Sequence, residues 1–262
     1  MSVDGGAGYI YADQNELFGQ RRVAGFGNDG FFVMEIDRDN ANKIIIKNHY
    51  SGKIYAASYI HLGVFIENRL VGALQFGYAM NPASQASVVA DTKIDEYLEL
   101  NRMWLDESAP RNSESLALSS AIKIIRATHQ KIKWIQSFAD ERCGLGGVVY
   151  QACNFRYYGE HKSVFWELDG IIHHNSQMTR TDNRGGYGSL HLRKHADRAI
   201  PHEFRQFRYI YFMKPRFAKK CLYEEKPYPK IFAARPDDEQ ASSLCEAGES
   251  PAGRSINTET NT

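Results

Sequence analysis

The chain has 262 residues, 43% of them hydrophobic, and its 32 basic side chains nearly balance 31 acidic ones; this composition fits one domain with extensions, or two small domains, with enough apolar residues for a core. No apolar run approaches the roughly 18 residues that a membrane-spanning helix needs, and no signal peptide is visible, so we expect a cytoplasmic protein. The four scattered cysteines, Cys143, Cys153, Cys221 and Cys245, are too few for a disulfide framework and are predicted to be free thiols.

The first predicted elements are mainly strands. The glycine-containing first 40 residues predict loops and short elements. A β-branched run predicts a strand over Asn42–Tyr50. Two apolar segments, 60–66 and 70–78, flank the turn "ENR" and predict an antiparallel hairpin near the centre of a sheet. Alternating apolar residues predict a further strand over Glu96–Asp106.

Helices and strands then alternate along the chain. Apolar residues at positions i, i+3, i+4 and i+7 predict a helix from Ser113 to about His129. The segment "IKWIQSF" predicts the next strand, "GGVVYQACNF" a short helix, and "RYYGEHKSVFWELDG" a final pair of strands. This order predicts an α/β protein with one mixed sheet. Where a strand runs into a helix, the first helical N–H groups are free and suit an anion or an acyl carbonyl.

Positive charge is concentrated late in the chain. Between residues 180 and 220, eleven lysines and arginines stand against three acidic residues, with aromatic residues interleaved. Such a local excess favours an anion-binding surface, and cations beside aromatic rings suit phosphates and unstacked bases. The simpler alternative is a solvated basic face with a few core aromatics. Residues 235–262 are polar and acidic, which predicts a disordered tail.

Two sequence blocks carry a resemblance to a known family. They are "ELNRMWLDESAPRNSESLALSSAIKII" and "WIQSFADERCGLGGVVYQACNFRYYGE". Together they resemble the core of the GCN5-related N-acetyltransferase fold and, more closely, the Mom family of phage DNA-modification proteins. The resemblance covers roughly residues 44–169. It implies a mixed central sheet flanked by helices, followed here by a basic C-terminal extension.

The resemblance also implies an activity. Members of that family modify adenine in DNA, so the implied product is N6-carbamoylmethyladenine, which shields phage DNA from host restriction enzymes. A phage-encoded transferase acting in the host cytoplasm is therefore expected. Its partner is double-stranded DNA with the adenine flipped out or locally opened, because a stacked base cannot present its amine to a buried pocket. A homodimer is a further possibility.

With this resemblance the chain divides into three predicted regions. Residues 1–176 form the acyltransferase-like catalytic domain. Residues 177–234 form a basic, aromatic-rich extension that contacts DNA, and residues 235–262 form the disordered tail.

The loop expected to hold a cofactor departs from ordinary acetyltransferases. In those enzymes a glycine-containing loop before the helix holds the pyrophosphate of coenzyme A. Here the loop is "PRNSES", which lacks glycines, and Glu114 adds negative charge. We assign Arg111 and Ser113 as candidate substrate-binding residues and Ser115 as a catalytic candidate, with helix capping as its simpler role. The donor stays open between acetyl coenzyme A and a glycine-derived compound such as a charged tRNA.

Three residues are candidates for catalysis besides Ser115. Arg102 lies in an apolar strand and needs a partner such as Glu99, or a cleft. Asp140 ends a strand, where a carboxylate either accepts a proton from the adenine amine or caps the next turn. Tyr150, on the short helix, matches the general acid of acyltransferases by the resemblance, and a core tyrosine is its simpler role.

His49 and Tyr50 are candidate substrate-binding residues. In a Mom-like protein they would line the pocket as a base, a metal ligand or a ring that stacks on adenine. Together with Tyr150 they are also possible iron ligands, since iron accepts mixed nitrogen and oxygen donors. No closely spaced histidines and cysteines support a metal site.

Two other functions compete with the DNA-modifying transferase. One is a coenzyme A-dependent N-acyltransferase of a small amine or protein, against which the glycine-free loop argues. The other is a non-catalytic nucleic-acid-binding protein that keeps the same fold and the basic extension.

Overall fold

The computed structural model describes the backbone of residues 13–16, 19–25, 30–144, 146–179 and 186–230, and side chains within 30–144, 146–179 and 189–230. Cys245 and the predicted tail lie outside these residues. Cys143, Cys153 and Cys221 are free thiols, as predicted. No helix in the described ranges is both long and apolar enough to cross a membrane.

Helices and strands alternate over much of the described chain. The helices are α1 (Arg38–Asn48), α2 (Ser113–Thr128), α3 (Val148–Ala152), α4 (Asn175–Thr179) and α5 (Gly186–Lys194). The strands are β1 (Asp13–Glu16), β2 (Gly19–Gly25), β3 (Phe32–Glu35), β4 (Ser58–Ile66), β5 (Arg69–Gly77), β6 (Tyr97–Leu105), β7 (Trp134–Asp140), β8 (Arg156–Leu168), β9 (Ile171–His174) and β10 (Ile200–Phe212).

These strands form one mixed sheet in the order β1-β2-β3-β4-β5-β6-β7-β10-β8-β9. Its neighbouring strands are antiparallel except β6 and β7, which are parallel. The parallel pair is joined at Tyr97↔Trp134, Leu98↔Ile135 and Glu99↔Gln136, and both strands continue beyond it. We call the gap between their carboxyl ends the fork. The predicted α/β class with a mixed sheet flanked by helices is confirmed.

The sheet is covered on both faces. On one face, α2 buries Leu118, Ile122 and Ile125 in the main apolar cluster. A fully buried aliphatic side chain of this size contributes roughly 1.5–3 kcal/mol. On the other face, α1 buries Ala41 and Ile45 in a small separate cluster. We call these sides the α2 face and the α1 face.

Most predicted elements are confirmed, including the hairpin β4–β5, the strands β6 and β7, and the helices α2 and α3. The strand predicted over Asn42–Tyr50 is wrong, because that segment belongs mostly to α1. Ala41 and Ile45 are four residues apart and both are fully buried. Packing of this helical stripe against the sheet outweighs the β propensity of the isoleucines.

The predicted final pair of strands is also wrong. Residues 156–168 form the single long strand β8, which pairs with β10 on one side and β9 on the other. The polar middle of this strand suggests a turn, but backbone pairing with β10 keeps it extended. Strand β10 comes from the segment predicted as a basic extension, 177–234, and lies between β7 and β8. That part of the segment therefore belongs to the central sheet.

Candidate active site

The first part of the site lies on the α1 face, at the carboxyl end of β7. His49 is the C-cap of α1, so the end of this helix delivers His49 and Tyr50 to the fork. The Tyr50 hydroxyl donates to Asp140 Oδ2 at 3.4 Å. The rings of His49 and Tyr50 are 4.3 Å apart. Three predicted residues, distant in sequence, are thus brought together.

Arg142 holds the Asp140 carboxylate in place. Its backbone N–H and its Nε both donate to Oδ1 at 3.0 Å, and a terminal guanidinium nitrogen donates to Oδ2. The two side chains are 9% and 6% exposed. The guanidinium also lies 4.0 Å from the ring centroid of Phe165, 5.3 Å from that of Tyr50 and 5.4 Å from that of Phe204. A buried bidentate pair of this kind fixes the carboxylate orientation.

His49 is held in its neutral form with a defined tautomer. Burial lowers its pKa to about 3, and the nearby positive charges of Arg102 and Arg142 act in the same direction. The backbone N–H of Ser51 donates to Nδ1 at 3.1 Å. Because Nδ1 accepts this bond, the imidazole proton resides on Nε2. His49 therefore offers a hydrogen-bond donor at Nε2 rather than a free base.

Glu99 lies at the closed end of the fork, opposite Gln136, and Arg102 lies three residues further along β6. Burial raises the pKa of Glu99 to about 7, although Gln136 and Asn101 donate to its carboxylate at 2.8 and 3.3 Å. Arg102 donates to the carbonyl oxygen of Asn101 at 2.6 Å and lies 5.3 Å from the ring centroid of Tyr55. Its Nε is buried and has no hydrogen-bond partner among the described residues.

Tyr150 lies on the other face of the sheet. Its ring is 5.6 Å from Phe155 and 5.3 Å from Tyr209, and burial raises its pKa to about 12. Tyr209 is directly opposite Ser137 in the sheet. Since successive strand residues point to opposite faces, Asp140 projects away from the side that carries Ser137 and Tyr209. The structure does not bring Asp140 and Tyr150 together on one face.

The remaining predicted residues line a cleft at the start of α2. The cleft has a volume of about 440 Å³ and is lined by the end of β6, the first turn of α2, and α3. Arg111, Ser113 and Ser115 all lie in its wall. Ser113 Oγ donates to the carbonyl of Pro110 at 2.6 Å, and Ser115 Oγ donates to that of Asn112 at 3.0 Å. Both hydroxyls thus brace the turn that begins the helix.

Comparison with known proteins identifies the family to which this chain belongs. Residues 30–230 match the model of the Mom protein family. The chain belongs to the Mom family. It is also 47% identical over 212 residues to the protein named methylcarbamoylase mom of Escherichia phage Mu, covering 80% of this chain and 88% of the relative.

Solved structures with a similar arrangement are acetyltransferases. One is an N-acetyltransferase from Staphylococcus aureus, 13% identical, with a TM-score of 0.41 over 70% of this chain and 98% of the other. Another is a ribosomal L7/L12 acetyltransferase from Salmonella typhimurium, 12% identical, with a TM-score of 0.41 over 71% and 96%.

The sequence did not predict roles for Arg142 and His174 of this Mom-family site, and it suggested Glu99 only as a partner for Arg102. Ser176 N–H donates to His174 Nδ1 at 3.1 Å, and the ring meets Phe165 edge-on at 5.2 Å between centroids. Burial and Arg142 lower the pKa of His174. The tripeptide His-x-Ser occurs twice in the sequence, as "HYS" and as "HNS". This repeat could have pointed to His174 once His49 was a candidate.

The proposed iron ligands are not gathered at one point. Tyr150 lies on the α2 face, whereas His49 and Tyr50 lie on the α1 face, and Nδ1 of His49 accepts from Ser51. Across the described ranges there is no group of three or more His, Cys, Asp and Glu side chains placed to hold a metal ion. His49, Tyr50 and Tyr150 therefore do not form one metal site.

Within the described residues, at least three cations of the predicted basic surface form ion pairs, and another donates to a neutral amide. Arg205 pairs with Glu141 at 2.6 Å. Arg208 donates to Gln136 and lies 4.5 Å from the ring centroid of Tyr223. Further ion pairs join Arg198 to Asp169 and Lys220 to Asp91. Arg180 and Arg184 lie outside the described residues.

Proposed function

We propose that this protein is a DNA-modifying enzyme that converts adenine in DNA to N6-carbamoylmethyladenine. It would protect phage DNA from host restriction enzymes in the host cytoplasm. The observation that carries the proposal is the 47% identity to the methylcarbamoylase of phage Mu over most of both chains.

The α1 face of the fork suits an extruded adenine. The exocyclic amine of adenine is a poor nucleophile because its lone pair is delocalised into the ring, so it needs an oriented acceptor. The Tyr50 hydroxyl donates a hydrogen bond to Asp140. The lone pairs of the Tyr50 oxygen are therefore free to accept a hydrogen bond from an amine. The rings of Tyr50 and Phe165 offer stacking surface for a base.

The proposed proton acceptor is Glu99. Asp140 is tied down by Arg142 on both oxygens, which makes it an orienting group rather than a mobile base. Glu99 has a pKa of about 7 and is partly exposed at the base of the fork. A group that titrates near the working pH is the most effective at general acid–base catalysis. Arg102 would then orient the substrate through its unpartnered Nε.

The donor of the transferred group is proposed to bind on the α2 face. The cleft at the start of α2 contains Arg111 and the first turn of a 16-residue helix, both of which favour an anionic or carbonyl group. Acetyl coenzyme A and a glycine-derived donor are the two predicted classes. Tyr150 is proposed as an acid that acts from this side, and Ser113 and Ser115 as residues that shape the cleft.

The DNA duplex is proposed to contact exposed residues of the segment 177–234, whose strand β10 is part of the central sheet. The target adenine would leave the stack to reach the fork. Exposed cations such as Arg216 and Lys219 would hold phosphates, which gives affinity without sequence choice. This part of the proposal predicts DNA binding that weakens steeply with salt.

Mass spectrometry of nucleosides tests the proposed function. Genomic DNA from cells that express the wild-type chain should contain an adenosine derivative with the mass of the carbamoylmethyl product. Asp140→Asn should abolish it, while the control Glu141→Gln, which changes the neighbouring carboxylate, should retain it. Unmodified DNA from cells that hold ample folded wild-type protein would refute the proposal. Acetylated amines or proteins in those cells would favour the N-acyltransferase instead.

A further inference from the structure

Gln206 lies next to Asp140 in the centre of the sheet. On β10 it is directly opposite Asp140 of β7 and directly opposite His161 of β8. Directly paired residues of antiparallel strands point to the same face, with Cβ atoms about 5 Å apart. The Gln206 side chain therefore points to the α1 face, beside the carboxylate that receives the Tyr50 hydroxyl.

The amide nitrogen of Gln206 has no partner in the described part of the chain. Its Nε2 is buried and makes no hydrogen bond there. Buried donors in folded proteins are nearly always paired, so each exception needs an explanation. Arg102 Nε is the other such atom at this site. Among the described residues, the other buried polar atoms without a partner are the acceptor Oε1 of Gln75 under α1, Nε1 of Trp134 in a core cluster and Oγ of Ser137 on the α2 face.

Aromatic side chains surround this amide on the same face. Phe204 lies two residues before Gln206 on β10, and its ring packs 5.8 Å from that of Phe165. On the flanking strands, the rings of Phe138 and His161 meet edge-on at 5.4 Å. Because Nε2 itself is buried, the low local dielectric would strengthen a hydrogen bond from this atom to a substrate.

We propose that Gln206 reads the target base. Its Nε2 donates to a ring nitrogen of adenine, either N7 or N1, and its Oε1 accepts from the exocyclic N6 amine. A primary amide matches adenine in this way, whereas guanine presents an oxygen acceptor where adenine has the amine. The inference rests on the proposed function and adds to it the residue that selects adenine and places its amine beside Asp140.

A binding experiment with base analogues tests the proposal without the donor. The probe is a short DNA duplex with one target base opposite an abasic site, carrying adenine, 7-deazaadenine or 1-deazaadenine. Affinities are measured by fluorescence anisotropy at one fixed salt concentration for wild type, Gln206→Ala and Gln206→Glu. The control is Gln151→Ala, because Gln151 donates to Tyr209 on the α2 face.

The expected result is a coupled loss of affinity, in which the base analogue and the Gln206 substitution remove the same hydrogen bond. Wild type should bind one of the two deaza analogues about 10-fold more weakly than adenine, which identifies N7 or N1 as the contact. Gln206→Ala should bind adenine about 10-fold more weakly, and the same analogue should then cause no further loss. Gln206→Glu keeps the size of the side chain but lacks the amide donor, so it should behave as Gln206→Ala does. Gln151→Ala should behave as wild type.

Two results would overturn the proposal. One is wild-type affinity for adenine in both Gln206 variants. The other is an analogue penalty that is equal in wild type and variants, since it would show that the ring nitrogen does not contact Gln206. The two proposals fail separately, because wild-type protein that shows the coupled loss yet leaves cellular DNA unmodified would refute only the proposed reaction.

Discussion

The two faces of the sheet at the fork are built differently. On the α1 face, hydrogen bonds hold polar groups in fixed positions. Arg142 donates to Asp140, Gln136 donates to Glu99, and the backbone N–H of Ser51 donates to His49. On the α2 face, a cleft bounded by a helix N-terminus lies next to an apolar core that includes Tyr150. In the proposed function this difference becomes a division of roles, with the α1 face orienting the base and its protons and the α2 face receiving the donor.

The strongest test of this contrast is removal of Arg142. Arg142→Ala leaves Asp140 buried without its counter-ion, a change that typically costs about 3–5 kcal/mol of stability. We expect about a 100-fold loss of modified adenosine by mass spectrometry, because the freed carboxylate no longer holds the Tyr50 hydroxyl in place and a small misplacement of a reacting group can cost about that much.

Arg205→Ala is the matched control for that variant. It breaks the neighbouring pair with Glu141, whose two side chains are 35% and 34% exposed, so its effect should stay within about 1 kcal/mol by thermal unfolding. Wild-type levels of modification in a folded Arg142→Ala protein would refute the positioning role of Arg142. Arg142→Lys should recover part of the signal, since it restores the charge without the bidentate geometry.

His49 makes the α1 face sensitive to acid. Its folded-state pKa of about 3 is below the unfolded value of 6.5, so its contribution to stability is complete above pH 6.5 and is lost as pH falls towards 3. The full difference would correspond to about 5 kcal/mol, and the contribution is smaller than this because the side chain is partly exposed. His49→Asn should reduce the loss of unfolding free energy between pH 7 and pH 4. Identical pH profiles for the two proteins would contradict this.

Glu99 should give the opposite pH dependence. Its folded-state pKa of about 7 lies above the unfolded value of 4.5, so its stabilising contribution is complete below pH 4.5 and is lost as pH rises through 7. The difference is at most about 3 kcal/mol. Between pH 4.5 and pH 8, Glu99→Gln should lose less unfolding free energy than wild type does. The variant should also lose modification activity. The control Glu96→Gln changes a carboxylate that pairs with Lys133 outside the fork.

The smallest expected effects are on the α2 face. Ser115→Ala removes one hydrogen bond to the carbonyl of Asn112, worth about 1 kcal/mol. We expect DNA binding to be unchanged and the donor concentration needed for half-maximal modification to rise a few-fold. Arg111→Ala should act in the same direction. A loss of DNA affinity in either variant would show that the two faces are not separate in function.

The site could be predicted from the sequence only in part. His49, Tyr50, Arg102 and Asp140 do lie together near the fork, although His49 and Tyr50 were placed on a strand rather than at the end of α1. Arg142 was missed because nothing in "ADERC" distinguishes a buried arginine from a solvated one. Its burial depends on rings from β8 and β10, which are remote in sequence.

The sequence by itself determined the α/β class, the central hairpin, β6, α2, β7 and α3, because apolar periodicity is a local property of the chain. It also carried the resemblance to the Mom family, which the family match confirms. Only the tertiary structure decided that residues 42–48 are helical, that β10 enters the sheet between β7 and β8, and that Asp140 and Tyr150 lie on opposite faces. These outcomes depend on strand pairing and packing between distant segments, which local patterns do not specify.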